Sequence, residues 1–257
     1  MLGWSINLFR VFGIQLAVHA SFFLLLAYAG YEGWVSAGSI GLVWRIVLIC
    51  SFFVCVVMHE LGHSLTARRY GVKVPRILLL PIGGMAEMDH IPRRPSAEFL
   101  ITIAGPAVNF VIAGLLLPIV WRGLTGVEEV ADFSGADLLL NLFWSNLIMG
   151  IFNLVPVYPM DGGRIFRSLL AVWLPYLDAT KWAVMTTRVL APILAFAAVY
   201  FLDWWMVGVL FAFILIVANN EYRLVLLREE EAAYWAQRAM AVAPSRDEPP
   251  LLIHGPN

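Results

Sequence analysis

The sequence predicts an all-α polytopic membrane protein, with about six transmembrane helices and a small membrane-associated β-hairpin or re-entrant segment before the third span. The composition indicates this class because 61% of the 257 residues are hydrophobic and only 14% are charged. A soluble domain is nearer half apolar and a quarter charged. Apolar runs of spanning length also recur along the chain, and Trp and Tyr cluster near their ends, as membrane-interface anchors do.

Six segments are long and apolar enough to cross a bilayer, which requires about 20 residues per helix. In chain order, the predicted spans are Gly13–Trp34, Leu42–Leu65, Glu98–Trp121, Leu138–Pro156, Trp182–Phe201 and Asp203–Asn219. A tight turn around Asp203 joins the last two. We expect the first run to be a retained span, since it carries no convincing small-residue cleavage site for a signal peptidase.

Two segments do not fit a simple span. Val72–Met88 contains β-branched and aliphatic residues, two prolines and a glycine pair, which predicts strands or a re-entrant hairpin that turns at Gly83-Gly84. Open strand edges are tolerated at membrane depth only when protein covers them or they line a water-filled cavity. After the last span, Glu221–Met240 predicts a polar helix, and we expect the Pro-rich end that follows to be disordered.

The distribution of charge predicts the orientation of the chain. With six spans, all of the 17 Lys and Arg residues except Arg45 and Arg122 lie on the side that carries both termini. The positive-inside rule assigns that side to the cytoplasm. We therefore expect both termini in the cytoplasm, with a six-span core, residues 1–220, and a cytoplasmic polar helix and disordered tail, residues 221–257. The net charge of −1 gives no reason to expect nucleic acid as a partner.

The motif His59-Glu60-Leu61-Gly62-His63 lies at the end of the second predicted span. HExxH places two imidazoles on one helix face, where they can bind zinc, with a glutamate beside them that can act on water. Ionisable groups at membrane depth are costly, so they indicate a functional site. The motif therefore favours a zinc hydrolase that works inside the membrane over a polar cluster that only holds helices together.

A catalytic zinc site of this kind requires a third protein ligand from elsewhere in the chain. Asp161 is the best placed candidate, because it follows the fourth span, whose end lies at the same membrane level as the end of the second. Pro156 and Pro159 would unwind the helix there, and Gly162-Gly163 would let the backbone turn. Asp161 could alternatively be only a turn residue ahead of the glycine pair. The other histidines outside the motif are weaker candidates, in the first span, a loop and the tail: His19, His90 and His254.

Three motifs together resemble the site-2 protease family of intramembrane zinc metalloproteases. They are HELGH at the end of an early span, AGPAVN in the third span (Ala104–Asn109), and NLVPVYPMDGGR at the end of the fourth (Asn153–Arg164). The resemblance covers most of residues 10–220, in a short form without the PDZ insert or CBS pair of many relatives. This short form favours a prokaryotic cell membrane as the location of the protein. It implies a six-span core that holds one catalytic Zn²⁺ ion below the cytoplasmic membrane surface.

The resemblance also implies a role for each site residue. His59, His63 and Asp161 would bind zinc, and Glu60 would be the catalytic acid–base group. Asn153 would position the substrate or stabilise the oxyanion, although an interhelical hydrogen bond is an equally good interpretation.

The predicted hairpin and the third span are also interpreted. The hairpin around Leu78–Glu87 would, by the same resemblance, receive the substrate as an added strand. Gly105, Asn109 and Gly114 of the third span are interpreted as helix-packing residues without a chemical role.

The expected function is intramembrane proteolysis of single-span membrane proteins near the cytoplasmic face, within the lipid bilayer. A metal-binding transporter is the first alternative, but it would place ionisable residues along a path through several spans and usually show repeated halves. A catalytically inactive scaffold that binds transmembrane helices is the second, and the intact Glu60 argues against it.

Overall fold

Helices form most of the chain, as the composition predicts. The computed structural model describes residues 4–90, 92–126 and 132–242, so the expected disordered tail lies outside the described residues. Within these ranges, the elements follow in the order β1 Ser5–Val11, β2 Ile14–His19, α1 Ser21–Arg69, β3 Arg76–Leu80, β4 Gly83–Glu87, α2 Pro95–Leu124, α3 Gly135–Asn153, α4 Asp161–Leu170, α5 Tyr176–Leu202 and α6 Trp205–Val242.

Helix α1 folds back on itself and packs as two antiparallel arms. Its helical geometry is interrupted at Ala37 and Gly38, where Gly38 has a φ of 61°. The rings of Phe22 and Phe53, on opposite arms, lie 4.6 Å apart between centroids. Near this kink, a side chain at Gly33 would overlap the backbone of Gly41. The two arms can pack closely there because Gly33 has no Cβ. A straight helix of 49 residues would be about 74 Å long, far more than the ~30 Å hydrocarbon core of a bilayer.

Five helices within the described residues, α1, α2, α3, α5 and α6, are long and apolar enough to cross a membrane. The protein is therefore an integral membrane protein, with lipid as the expected surroundings of its apolar outer surface. Two residues, Asp203 and Trp204, separate α5 from α6, and Asp203 is left-handed, at the tight turn that the sequence predicts. Helix α6 then continues without interruption to Val242, so the last predicted span and the predicted polar helix are one element.

The β structure is larger than the predicted hairpin. Four strands form one sheet in the order β1-β2-β3-β4, in which β2 and β3 pair in parallel and the outer pairs are antiparallel. The prediction of a span from Gly13 to Trp34 is wrong in its first part, because Ile14–His19 is strand β2 and the helix begins at Ser21. Apolar strand residues that run directly into an apolar helix leave no sequence signal at their boundary.

The predicted hairpin turn is displaced by two residues. The chain turns at Pro81 and Ile82, and Gly83 and Gly84 already belong to β4. Proline has no backbone N–H to donate to a ladder, so the turn suits it better than the strand.

One face of the sheet packs against the second arm of α1. Ile14, Leu16 and Ile77 from the sheet share a buried cluster with Phe53 and Val56 from α1. This cluster fixes the distance between β4 and the His59–His63 segment, which lies one turn further along the same arm.

A loop and a short helix follow α3. Helix α3 ends at Asn153, and Asp161 is the first residue of helix α4, which the sequence analysis did not predict. Gly162 and Gly163 do not turn the chain as expected, since both lie inside α4. A side chain at Gly162 would overlap the backbone of Leu154 and Val155, so the glycine pair lets α4 pack directly on the preceding loop.

Candidate metal centre

Three side chains from two elements meet at one point of the molecule. His59 and His63 lie one turn apart on the second arm of α1, and Asp161 lies at the start of α4. The two Nε2 atoms are 3.1 Å apart, and the Oδ2 atom of Asp161 lies 3.3 Å from that of His59 and 3.2 Å from that of His63. Among the described residues, these three form the group of donors close enough to hold a metal ion.

The donor set fits zinc by its chemistry and its spacing. Two imidazole nitrogens and a carboxylate are a common catalytic zinc triad, with bonds of about 2.0–2.2 Å. Donor atoms 3.1–3.3 Å apart can all lie at that distance from one ion. Three protein ligands would leave one coordination position open for a further ligand, as in catalytic zinc sites.

The second nitrogen of each imidazole makes a buried hydrogen bond. His63 Nδ1 lies 2.8 Å from the carbonyl oxygen of Ile101, and His59 Nδ1 lies 2.6 Å from Oδ1 of Asn109. A carbonyl oxygen can only accept, so Nδ1 of His63 carries the proton and its Nε2 presents a lone pair to the centre. Asn109 Nδ2 donates to Oδ1 of Asn146 at 2.9 Å, which directs Oδ1 of Asn109 towards His59. Both imidazoles therefore face each other with lone pairs, an arrangement that a cation relieves.

The hydrogen bonds of Asn109 correct its interpretation as a helix-packing residue without a chemical role. Asn109 and Asn146 are 0% and 1% exposed, and they connect His59 to helices α2 and α3. Such hydrogen bonds orient metal-binding histidines and raise their basicity. A carboxamide in an apolar span is costly without hydrogen-bond partners. Its presence in the sequence could therefore have indicated a buried hydrogen bond at Asn109.

Gly105 lies directly against the two metal-donor imidazoles. A Cβ at this position would lie 2.8 Å from Nε2 of His59 and would overlap Nε2 of His63. The missing side chain therefore leaves room at the point where the donors meet. By contrast, a Cβ at Gly114 in the same helix would meet nothing within 4 Å.

Glu60 points towards strand β4 beside the metal donors. Its Oε2 accepts a hydrogen bond from the backbone N–H of Ala86 at 3.1 Å. Glu60 and the three donors line a cavity of about 420 Å³, which β4 closes on one side. The carboxylate thus lies between the donor set and the outer edge of the sheet.

Asn153 lines the same cavity from the end of α3. Its Nδ2 donates to the carbonyl oxygen of Met149 one turn earlier, at 3.0 Å. The amide has two N–H groups, so a second donor is available after this bond is made. The packing alternative, a hydrogen bond to another helix, is not the bond that the structure contains.

Of the other histidines, the two that the structure describes, His19 and His90, do not join this group. His19 ends β2, where its Nδ1 accepts a hydrogen bond at 3.2 Å from the backbone N–H of Ser21, the first residue of α1. His254 lies outside the described residues.

Asp161 is largely buried beside the two imidazoles, since its side chain is only 13% exposed. Its carboxylate offers an oxygen donor next to the two Nε2 atoms.

A buried ion pair holds α4 in place. Glu98, in the first turn of α2, accepts hydrogen bonds from Nε of Arg167 at 2.9 Å and from its Nη2. Arg167 also donates to the Tyr158 hydroxyl at 2.7 Å, and its guanidinium lies 4.9 Å from the ring centroids of Tyr158 and Tyr176. These contacts join α2, the loop before α4 and the start of α5 around the helix that carries Asp161.

Fold and site together define a class: an integral membrane protein whose spanning helices hold a metalloprotease-type His-Glu-His motif against a carboxylate. The chain belongs to peptidase family M50, which matches residues 47–195. Over 194 residues it is 43% identical to a zinc metalloprotease of Methanocaldococcus jannaschii, covering 75% of this chain and 53% of that relative.

Two further comparisons agree with this membership. Stage IV sporulation protein FB of Bacillus subtilis is 28% identical over 180 residues, which are 68% of this chain and 58% of that protein. The solved structure of the site-2 protease from Methanocaldococcus jannaschii matches with a TM-score of 0.60 at 37% identity, over 85% of this chain and 95% of that chain. The chain spans about half the length of the first curated relatives it matches.

Proposed function

We propose that this chain is an intramembrane zinc metalloendopeptidase that cleaves single-span membrane proteins near the cytoplasmic face. The observation that carries this proposal is the meeting of His59, His63 and Asp161 beside Glu60, in one cavity reached by a spanning helix. By helical rise, the two histidines lie about 8–15 Å before Arg68 and Arg69 at the end of α1. Basic residues mark the cytoplasmic membrane surface, so the site would lie below that surface.

The proposed topology has six spans with both termini in the cytoplasm. The two arms of α1 account for the first two, and α2, α3, α5 and α6 for the rest. Residues 1–220 would form the catalytic core in a prokaryotic cell membrane, and residues 221–257 a cytoplasmic extension. The number of basic residues on the proposed inner side supports this orientation.

In the proposed mechanism, His59, His63 and Asp161 hold the ion. When bound, zinc supplies Lewis acidity, which activates water and polarises the scissile carbonyl. Glu60 takes a proton from the water and returns it to the leaving amine, which adds roughly 10²–10⁴ to the rate for this kind of catalysis. Asn153, which lines the cavity, donates a hydrogen bond to the carbonyl oxygen as negative charge develops on it.

Strand β4 would hold the unwound substrate. It is the outer strand of the sheet on the side of the cavity, and an extended peptide can add to such an edge through main-chain hydrogen bonds. The backbone N–H of Ala86, which donates a hydrogen bond to Glu60, lies on this edge. The proposed base and the proposed binding strand are therefore in direct contact. The substrate helix must unwind because its carbonyl groups are otherwise occupied by i→i−4 hydrogen bonds.

Substitution of Glu60 by Gln tests the assignment of the base. We expect Glu60→Gln to reduce cleavage by about 10²–10⁴-fold, because the amide cannot take the proton, while about one zinc ion per chain remains bound. A panel of single-span proteins co-expressed with each variant, followed by mass spectrometry of membranes, measures cleavage. The exposed Glu230 on α6 provides the matched control, Glu230→Gln, which we expect to cleave as the wild type does. Retained cleavage in Glu60→Gln would contradict the assignment of the base.

A further inference from the structure

A second, apolar cavity adjoins the candidate metal centre. It has a volume of about 280 Å³ and lies between the β3–β4 turn, the second arm of α1 and the last turn of α3. Its walls are largely apolar and include Phe52, Val56, Ile82, Met149 and Phe152. Ligand pockets for drug-sized molecules are about 300–1,000 Å³, so this volume suits a smaller group such as one or two side chains.

The two cavities share a wall at the proposed base. His59, Glu60, Gly84 and Asn153 line both of them. A peptide bond held beside Glu60 would therefore lie next to the apolar cavity as well. Successive side chains of an extended peptide point to opposite faces, so a residue adjoining that bond can direct its side chain there.

Chemical character separates the two cavities. Thr102, Asp161 and Arg164 line the metal-centre cavity and not the apolar one. A carboxylate side chain placed in this cavity would lose its hydration and would lie beside Glu60, which lines the same cavity, so its binding would be costly. An uncharged aliphatic or aromatic side chain has no such cost and gains from burial.

Gly84 lies at the boundary between the two cavities and adds no side chain to it. A Cβ at this position would lie 2.6 Å from Cγ of Glu60 and 3.1 Å from Cγ1 of Val56. Strand β4 therefore packs directly over Glu60, and the absence of a side chain leaves the boundary thin.

We propose that the apolar cavity is a specificity pocket that takes one large, uncharged apolar side chain of the substrate, from a residue adjoining the scissile bond. This inference rests on the proposed peptidase function, because the scissile bond is defined by the metal centre and Glu60. The apolar walls of the pocket favour branched aliphatic and aromatic side chains, and Glu60 in its lining disfavours Asp and Glu.

Peptide hydroxamates test the pocket without needing a known substrate, because a hydroxamate binds zinc directly. Two series are used on the zinc-loaded, detergent-purified protein, one with the side chain before the hydroxamate and one with it after. Each contains hydrogen, methyl, isobutyl and benzyl side chains. In one series, we expect the isobutyl or benzyl compound to bind at least about tenfold more tightly than the hydrogen compound, since differences of this size follow from filling an apolar pocket.

Filling the pocket should remove this gain. In Met149→Trp, we expect the affinities to become equal across the series, while the hydrogen compound binds as it does to the wild type. The matched control is Ile148→Trp, since Ile148 is the preceding residue of α3 and is 61% exposed on its outer side. If Met149→Trp does not fold with its zinc, Phe152→Ala tests the same wall by enlargement, and a naphthyl side chain should then bind better than benzyl.

The outcomes separate the pocket from the metal centre. Equal affinities across both series in the wild type, or a gain that persists in Met149→Trp, would overturn the specificity pocket. Apolar compounds that bind equally well to chelator-treated, metal-free protein would show partition into detergent and would also overturn it. If no hydroxamate binds zinc-loaded wild type, including the hydrogen compound, the proposed function itself is contradicted and the pocket falls with it.

Discussion

Single residues that supply no metal donor nevertheless control the donors. Oδ1 of Asn109 accepts a hydrogen bond from Nδ1 of His59 at 2.6 Å, and Nδ2 of Asn109 donates one to Oδ1 of Asn146 at 2.9 Å. A neutral imidazole presents a lone pair at Nε2 when Nδ1 carries the proton. The carboxamide oxygen of Asn109 therefore selects the tautomer of His59 that can bind a metal ion.

Loss of this acceptor should weaken zinc binding. In Asn109→Leu, we expect zinc affinity to fall by about 10–100-fold, as is usual when the partner of a metal-binding histidine is removed. Asn109→Asp, which keeps an acceptor oxygen, should retain most of the affinity. Competition with a chromophoric zinc chelator measures both variants. Asn141→Leu, on α3 but hydrogen-bonded to Asp137, is the control, and an equal loss there would refute the specific role of Asn109.

Gly105 provides a second test at the same scale. In Gly105→Ala, the new methyl group would occupy the space between the imidazoles, so we expect zinc content to fall well below about one ion per chain. Gly114→Ala places the same group in open space in the same helix and should leave zinc content unchanged. Elemental analysis of the purified proteins decides the matter. Full zinc content in Gly105→Ala would show that the donors can move apart to admit a methyl group.

The sequence could indicate the donors but not the residues behind them. His59 and His63 carry a motif with a known spacing, and Asp161 has few chemical rivals near a span end. Asn109 and Gly105 have side chains that serve helix packing as often as chemistry. Their roles depend on which face of α2 meets α1, and that angle is set by contacts from distant parts of the chain.

At the scale of elements, helix α4 depends on the buried pair of Glu98 and Arg167. The two side chains are 0% and 1% exposed, and they connect the first turn of α2 to the last turns of α4. Asp161 lies at the other end of this ten-residue helix. A displacement of α4 therefore displaces the only carboxylate of the donor set.

Removal of one partner from this pair should destabilise the fold strongly. For Arg167→Met or Glu98→Gln alone, we expect a loss of about 3–5 kcal/mol at most, because a buried group is left without its partner. The double variant should lose clearly less than the sum of the two single changes, since it leaves no isolated charge. Unfolding midpoints in detergent, measured by near-ultraviolet circular dichroism, give the comparison. Strictly additive losses would mean that the two residues act independently.

The boundaries of elements were the hardest feature to predict. Apolar run length locates α2 to within three residues at each end, whereas it places the start of α5 at Trp182 although the helix begins at Tyr176. Strand β2 is apolar and runs into α1, so composition alone assigns it to the span. Helix α4 begins with Asp161 and two glycines, which predict a turn by propensity, and only packing against the loop 154–160 makes the helix favourable.

At the scale of the whole molecule, the proposed orientation places the kink of α1 and the β sheet on opposite sides of the membrane. The kink of α1 at Ala37 and Gly38 lies at the far end of both arms, whereas the start of α1 and the sheet lie at their near end. Arg68 and Lys73 lie at the sheet end, where most basic residues gather. The positive-inside rule assigns this end to the cytoplasm.

Labelling of single cysteines tests this orientation. In a background of Cys50→Ala and Cys55→Ala, Ser39→Cys and Lys73→Cys introduce thiols at exposed positions near the two ends of the second arm. A membrane-impermeant maleimide added to intact spheroplasts should label Ser39→Cys, because this side faces outward. Lys73→Cys should be labelled only after lysis. The reverse pattern would place the termini outside and would contradict the proposed topology.

The parallel pairing of β2 with β3 has a consequence for the order of assembly. Gln15 pairs with Arg76 and Val18 with Leu79, so each pair closes a loop of about sixty residues that contains all of α1. During synthesis from the N-terminus, β2 is complete before the ribosome has made either arm of the helix. In the proposed topology, β2 pairs with β3 only after the chain has crossed the membrane and returned. Completion of the sheet therefore marks the return of the chain, and the cavity beside β4 cannot exist before that step.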